Sequence, residues 1–337
     1  MSKPFRWGIV ATVAEPPQLV MAFVAHHLSL GADEIHIYLD NPRDPVGELL
    51  DWLPPVHVTR CDRHYWRAVA PRRPRRHNNR QTINATHAQS VSKLDFLLHC
   101  DADEYLRPGS DVQAALADVP EWATWTKVFN LERALVRGQP QRTIFDGVFK
   151  VHYQGRDDTP LRTSALAPFG FTGHAAGKPF VRTRIGMNIG IHVPRHGHIK
   201  DRVVPPHYPA DQIELVHFDG MTPLHWAGKF IRQAANTPER LEQLPPFRIA
   251  QWREIAGCLH DPAALRALFD RVNGYSEAEI AVLEDDGYIQ RDQFDLGPIV
   301  ETAFPGRSVD LGPGAFDAAL RKNIDAWVDV ARQNGVL

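Results

Sequence analysis

Apolar and polar positions follow two different periods along the first hundred residues. Trp7-Gly-Ile-Val-Ala-Thr-Val13 is a continuous apolar run rich in β-branched residues, the pattern of a strand covered on both faces. After Pro16-Pro17, residues Leu19, Val20, Phe23, Val24, His27 and Leu30 recur at helical spacing until Gly31, which predicts a helix and its stop. Ile35, Ile37 and Leu39 predict a second strand ending at Asp40-Asn41-Pro42, Val46 to Leu53 a short helix, and Val56 to Cys61 a third strand. A long polar loop follows. Asn79 to Ser92 then predicts a helix, and Leu94 to Cys100 a buried strand running into Asp101-Ala-Asp-Glu104. Strands alternating with helices predict the α/β class, with a mostly parallel, doubly wound sheet.

From Trp125 to about His217 the pattern becomes strand-like and loop-rich, with Thr143 to His152 as one strand, and this segment suits an acceptor-side wall. Beyond Pro238 it turns helical, over Ala263 to Phe269, Glu277 to Leu283, and a last helix with Phe316, Leu320, Ile324, Trp327, Val328 and Ala331 on one stripe. The expected organisation is a catalytic domain over 1–235 and a helical extension over 236–337. A chain of 337 residues can bury a large core without staples. Its 38 Lys+Arg against 40 Asp+Glu leave a formal charge of −2, so it lacks the overall basic field expected of a partner of nucleic acid or an anionic membrane. No stretch approaches the ~20 apolar residues of a transmembrane helix. Met1 to Trp7 lacks an apolar signal core, and three cysteines are too few for a disulfide framework, so a soluble cytoplasmic enzyme is expected.

Ligands of open parallel sheets bind beyond the carboxyl ends of the strands. The positions to examine are therefore Thr12 to Glu15, Asp40-Asn41, Asp62 to Trp66 and Asp101 to Glu104. Asp101 and Asp103 leave a strand two residues apart, and two carboxylates that close repel unless a cation lies between them. Hard oxygen donors suit Mg²⁺ or Mn²⁺, which completes its shell from water and substrate phosphates.

The order of strand, Thr12-Val-Ala-Glu15, helix, His27 to Asn41, Gln81-Thr-Ile-Asn-Ala85 and Phe96 to Leu106 resembles the family-2-like glycosyltransferases with the GT-A fold, over about the first 110 residues. The resemblance implies a nucleoside-diphosphate sugar donor, a UDP-sugar favoured. It puts Glu15 and Asp40 near the nucleoside, makes Thr12, Asn41 and Gln81 further donor-binding candidates, and gives the diphosphate metal to Asp101 and Asp103. Where the family usually carries a Lys-Asn-Glu triplet this chain has Val13-Ala14-Glu15, so only the Glu carries over. Leu215 to Pro223 is similar to a late His-Phe-x-Gly-x-x-Lys-Pro element and makes His217 the third metal ligand. Thr222 stands at its Lys position, which shifts the diphosphate contact to Lys229 or to an arginine of the 72 to 76 run.

Transfer to a hydroxyl acceptor with inversion, which the family implies, also needs a base on the far face of the sugar. Asp157 and Asp158 are the first candidates, with Asp219 and Asp201 as rivals. Arg72, Arg73, Arg75 and Arg76 read either as a solvated loop or as one that closes on a diphosphate. Tyr65, Trp66 and Trp226 serve as sugar platforms or as core. His192 is a secondary metal candidate, while His196-Gly-His-Ile-Lys-Asp201 puts Lys where a zinc hydrolase of the metallo-β-lactamase type needs Asp. A nucleotidyltransferase would carry a Gly-rich basic loop after the first strand, which Ala11 to Pro17 is not, and a non-catalytic carbohydrate-binding protein would not need Asp101 and Asp103 intact.

Overall fold

The computed structural model describes residues 5–152, 159–196 and 204–337. The apolar run at the start becomes β1 (Trp7–Val13), buried along its whole length. Then follow α1 (Pro17–Ser29), β2 (Glu34–Leu39), α2 (Val46–Leu50), β3 (Val56–Arg60), α3 (Arg63–Val69), α4 (His77–Val91), β4 (Phe96–His99), β5 (Glu104–Leu106) and α5 (Val112–Ala117). The remaining strands are β6 (Trp125–Val136), β7 (Val148–Lys150), β8 (Lys178–Arg182), β9 (His207–His217), β10 (Gly274–Tyr275) and β11 (Ile289–Gln290). The later helices are α6 (Pro223–Asn236), α7 (Pro246–Cys258), α8 (Pro262–Asn273), α9 (Glu277–Asp285), α10 (Gly297–Ala303) and α11 (Pro313–Gln333). The expected α/β class is what the structure shows, and the early helices and strands fall within a few residues of their predicted bounds. No helix of the described residues is long and apolar enough to cross a membrane.

The chain forms two compact units interleaved along the sequence. The first comprises Met1–Asn130, Ala176–Leu215 and Leu296–Val309, and the second Leu131–Ala175, Val216–Asp295 and Asp310–Leu337. The boundary expected near residue 236 is therefore not where the units part, because residues on both sides of it belong to the second. In the first unit β3, β2, β1 and β4 are parallel neighbours, and β8 then pairs antiparallel with β4 and with the first half of β6. In the second unit the rest of β6 pairs antiparallel with β7, which pairs antiparallel with β11, while β10 lies parallel to β6. The strand expected over Thr143 to His152 forms only at its end. Asp146 folds the start into a turn by accepting from the amides of Arg142 and Thr143 and from the Thr143 hydroxyl.

Helix α1 is buried without interruption from Leu19 to His27 and is closed off just beyond its cap by Gly31, whose φ of +88° belongs to the left-handed region open to glycine. Its two buried histidines hold edge strand β5. The His27 Nδ1–H donates to Phe23 O at 2.8 Å, while its Nε2 accepts the Leu106 amide at 3.2 Å. His26 Nε2–H donates to Leu106 O at 2.6 Å. The His27 role requires a neutral ring, since one nitrogen donates while the other accepts. Burial pushes His26 down to about 4, and burial together with the neighbouring His26 pushes His27 well below its ordinary value.

Because the unfolded chain binds these protons near pH 6.5 and the fold does not, the stability they confer is complete above 6.5. It is lost as pH falls toward 4, by about 3 kcal/mol from His26 alone. Urea midpoints measured from pH 7.5 to 4.5 should decline across this window, and decline less in His26→Gln. A wild-type midpoint that stays level between 6.5 and 4.5 would contradict the neutral pair.

Candidate functional site

The parallel strands of the first unit end in step. The Asp40 amide donates to Val13 O at 3.0 Å, the Cys61 amide to Leu39 O at 3.2 Å, and the Cys100 amide to Val10 O at 3.1 Å. The residues that follow each strand are thus presented along one edge, where the sequence places Asp40, Asp62 and Asp101.

Asp101 is held from two sides. Its Oδ1 accepts the side-chain amide of Gln81, from α4, and its Oδ2 receives Lys178 Nζ, from the first residue of β8, at 2.6 Å. Lys178 is fully buried and reaches Glu104 Oε2 at 2.9 Å as well, and that same oxygen accepts the Asp101 amide at 2.8 Å. One ammonium therefore balances two carboxylates. Burial alone would raise the Asp101 carboxyl, but the Lys178 charge, with His99 beside it, holds it well below the usual range. Burial alone would lower the Lys178 ammonium, and Asp101 and Glu104 instead keep it above its ordinary value. Asp103 lies two residues on, with 7% of its surface exposed.

A second fork organises the end of β2. Arg80 donates Nε to Asp40 Oδ1 and Nη2 to Asp40 Oδ2, both at 2.7 Å, and Arg73 reaches Oδ1 at 3.0 Å. Burial would raise the Asp40 carboxyl, but the Arg80 hydrogen bonds and charge hold it below the usual range. Arg80 Nη1 also donates to the carbonyls of Pro74 and Arg75, so the arginine-rich loop is fastened to the strand end through one bidentate pair. Beside this fork opens a cavity of about 730 Å³, lined by Asp40, Asn41, Asp62, Trp66, Arg72 and Arg73 among others.

Of the remaining sequence candidates, Thr12 is buried and accepts from Asn84 Nδ2 at 2.9 Å, and Asn84 Oδ1 accepts the Tyr65 hydroxyl at 2.7 Å. Glu15 sits half-buried just after β1, where its charge helps burial to raise the Asp44 carboxyl. The Asn41 side chain closes a local turn by accepting the Arg43 amide. Trp66 packs in the core while touching the cavity, and His192 Nδ1–H donates to Gly177 O at 2.9 Å. Asp157, Asp158 and Asp201 lie outside the described residues.

The second unit has its own buried polar groups. His217 stacks on His174 with ring centroids 5.0 Å apart, and its Nδ1 lies 3.8 Å from Glu132 Oε2. Lys229, a diphosphate candidate from the sequence, pairs with Asp219 at 2.9 Å, with Arg248 on the other oxygen at 3.4 Å. Burial opposes the Asp219 charge, yet Lys229 and Arg248 hold its carboxyl well below the usual range, which makes Asp219 a poor proton acceptor.

Sequence reasoning missed Lys178, Arg80 and Asn84. A signal existed for two of them. The buried residues of α4 include Arg80, Gln81, Asn84 and Gln89, and a helix that turns polar side chains inward faces a polar site.

No family model and no curated protein matches this chain. Among solved structures, HddC from Yersinia pseudotuberculosis aligns over 40% of this chain at 11% identity and a TM-score of 0.26, and the chain spans only 61% of that protein. TarS 1-349 of S. aureus aligns over 98% of this chain and 91% of its own, at 11% identity and a TM-score of 0.31. A CMP:2-keto-3-deoxy-manno-octonic acid synthetase complexed with CTP aligns over 80% of this chain and 88% of its own, at 13% identity and a TM-score of 0.25. Likeness this remote leaves function to be argued from the site's own chemistry.

Proposed function

We propose that this chain is a glycosyltransferase that takes a sugar from a nucleoside-diphosphate donor, a UDP-sugar first among them, and passes it to a hydroxyl acceptor with inversion. The observation that carries the reading is the strand-end cavity of about 730 Å³, bordered by the anchored Asp40 carboxylate and by the arginine loop. Its volume lies within the usual range for sites that enclose a small molecule. Arg72 and Arg73 line it and bring planar, permanently charged donors matched to phosphate oxygens, while Trp66 offers an aromatic surface. Asp40 and Asp101 are held ionised and fixed in place, which suits them to accept hydrogen bonds from donor hydroxyls or a base.

A divalent ion, Mg²⁺ or Mn²⁺, belongs to the proposal. The donor set after β4 consists of carboxylates, the type such ions prefer. Asp103, two residues beyond Asp101, is the residue that would hold the ion, and His217 carries over from the sequence resemblance alone. When bound, the ion offsets charge on the departing diphosphate. The base remains with Asp157 or Asp158, as the sequence argues, and a cytoplasmic setting suits a chain whose three cysteines are all unpaired.

The test measures thermal stability with UDP, GDP, CMP and CTP, each with and without Mn²⁺, and nucleotide release from the corresponding sugar donors. UDP at a hundred times its Kd should add about 2.7 kcal/mol of stability, and UDP should be released from a UDP-sugar. Pyrophosphate release from a nucleoside triphosphate would move the chain to the nucleotidyltransferases. No stabilisation by any nucleotide would end the reading.

A further inference from the structure

A different cluster lies at the opposite end of the same strands. Glu34 and His36 are two residues apart on β2 and so share a face, and His57 on β3 is the register partner of His36. The two imidazoles stack with centroids 4.8 Å apart. Glu34 Oε2 lies 3.1 Å from His36 Nε2 and 3.9 Å from His57 Nε2. One donor atom from each of the three residues falls within 4.8 Å of the others.

The carboxylate is aimed from behind. Arg6 Nη2 donates to Glu34 Oε1 at 3.0 Å, which turns Oε2 toward the imidazoles. The backbone beneath is close-set too, because a Cβ on Gly8 would come within 2.2 Å of Glu34 O. Ligating carboxylates in metal sites are commonly steadied by such an outer hydrogen bond. The cluster also opens on one side, since the His57 side chain is 51% exposed whereas those of His36 and Glu34 are 5% and 13% exposed.

We propose that Glu34, His36 and His57 form a binding site for one transition-metal ion of the Zn²⁺ class. Two imidazoles and one carboxylate match Zn²⁺ in donor type, whereas Mg²⁺ and Ca²⁺ prefer oxygen alone. At bond lengths of about 2.1 Å, tetrahedral ligands stand roughly 3.4 Å apart. The two Glu34 distances bracket that spacing, and a modest rotation of the exposed His57 ring brings the third ligand in. Water reaches the open side and completes the shell. The site is distinct from the strand-end cavity, because His36 precedes Asp40 by four residues of extended chain, roughly 13 Å.

The experiment uses untagged full-length protein freed of metal by chelator. It is titrated with Co²⁺, followed by visible ligand-field absorption, and then with Zn²⁺ in competition. One equivalent of Co²⁺ should bind with nitrogen-type absorption and be displaced by Zn²⁺. His57→Ala, at an exposed position, and Glu34→Gln, which can still accept from Arg6, should each weaken binding at least tenfold. Asp103→Asn should leave it unchanged. Wild-type-like binding in His57→Ala, loss of binding in Asp103→Asn, or no binding by wild type would each overturn the proposal.

Discussion

Lys178→Met is expected to destabilise the fold by about 3–5 kcal/mol, the usual consequence of removing one partner from a buried ion pair. The side chain is fully enclosed and is the shared partner of Asp101 and Glu104. Methionine fills much the same volume, so packing is nearly preserved while two carboxylates are left in a low-dielectric setting. The double variant Lys178→Met/Glu104→Gln removes one of those charges and should recover part of the loss, giving a coupling energy well above the few tenths found for independent sites. Denaturant midpoints of the wild type, the single variants and the double variant measure this. A Lys178→Met protein as stable as wild type would show that the ammonium is not what balances the strand end.

Asp103→Asn should reduce kcat/KM for the sugar donor by about a thousandfold, on the order of 4 kcal/mol of transition-state stabilisation. Asparagine keeps the shape and one carbonyl oxygen but loses the charge that would fix a divalent ion. Since Lys178 already neutralises Asp101, the second carboxylate has no substitute in that role. Folding should be retained, with a denaturant midpoint close to wild type. Turnover within tenfold of wild type, with the variant folded, would refute the assignment of the ion to Asp103.

The parallel half of the first unit was readable because its two central strands, β1 and β4, are apolar almost throughout, as strands covered on both faces are. Trp7–Val13 and Phe96–His99 are buried at every position, and the acids follow them as the sequence implied. The later strands were hard to read because they bury charge. Glu132 on β6 and Lys150 on β7 are fully enclosed and meet at 2.8 Å, and β8 opens on Lys178, so the apolar signal is broken where the sheet continues. Contacts between distant residues hid the rest. Asp40 meets Arg80 forty positions away and Asp101 meets Lys178 seventy-seven positions away, and neither pairing leaves a local pattern. That Lys229 pairs with Asp219, with Arg248 on the other oxygen, is likewise invisible in the sequence.

The interleaving of the two units bears on how the polypeptide is made. The first unit is completed by Leu296–Val309, where α10 packs on α1, so its earliest helix waits for a segment that is synthesised long after it. At elongation rates of about 5–20 residues per second, the apolar flank of α1 stays uncovered for roughly fifteen seconds to a minute. A nascent chain in that condition is a natural client for a holdase chaperone, and synonymous codon changes that slow translation before residue 296 should lower soluble yield without altering the finished molecule.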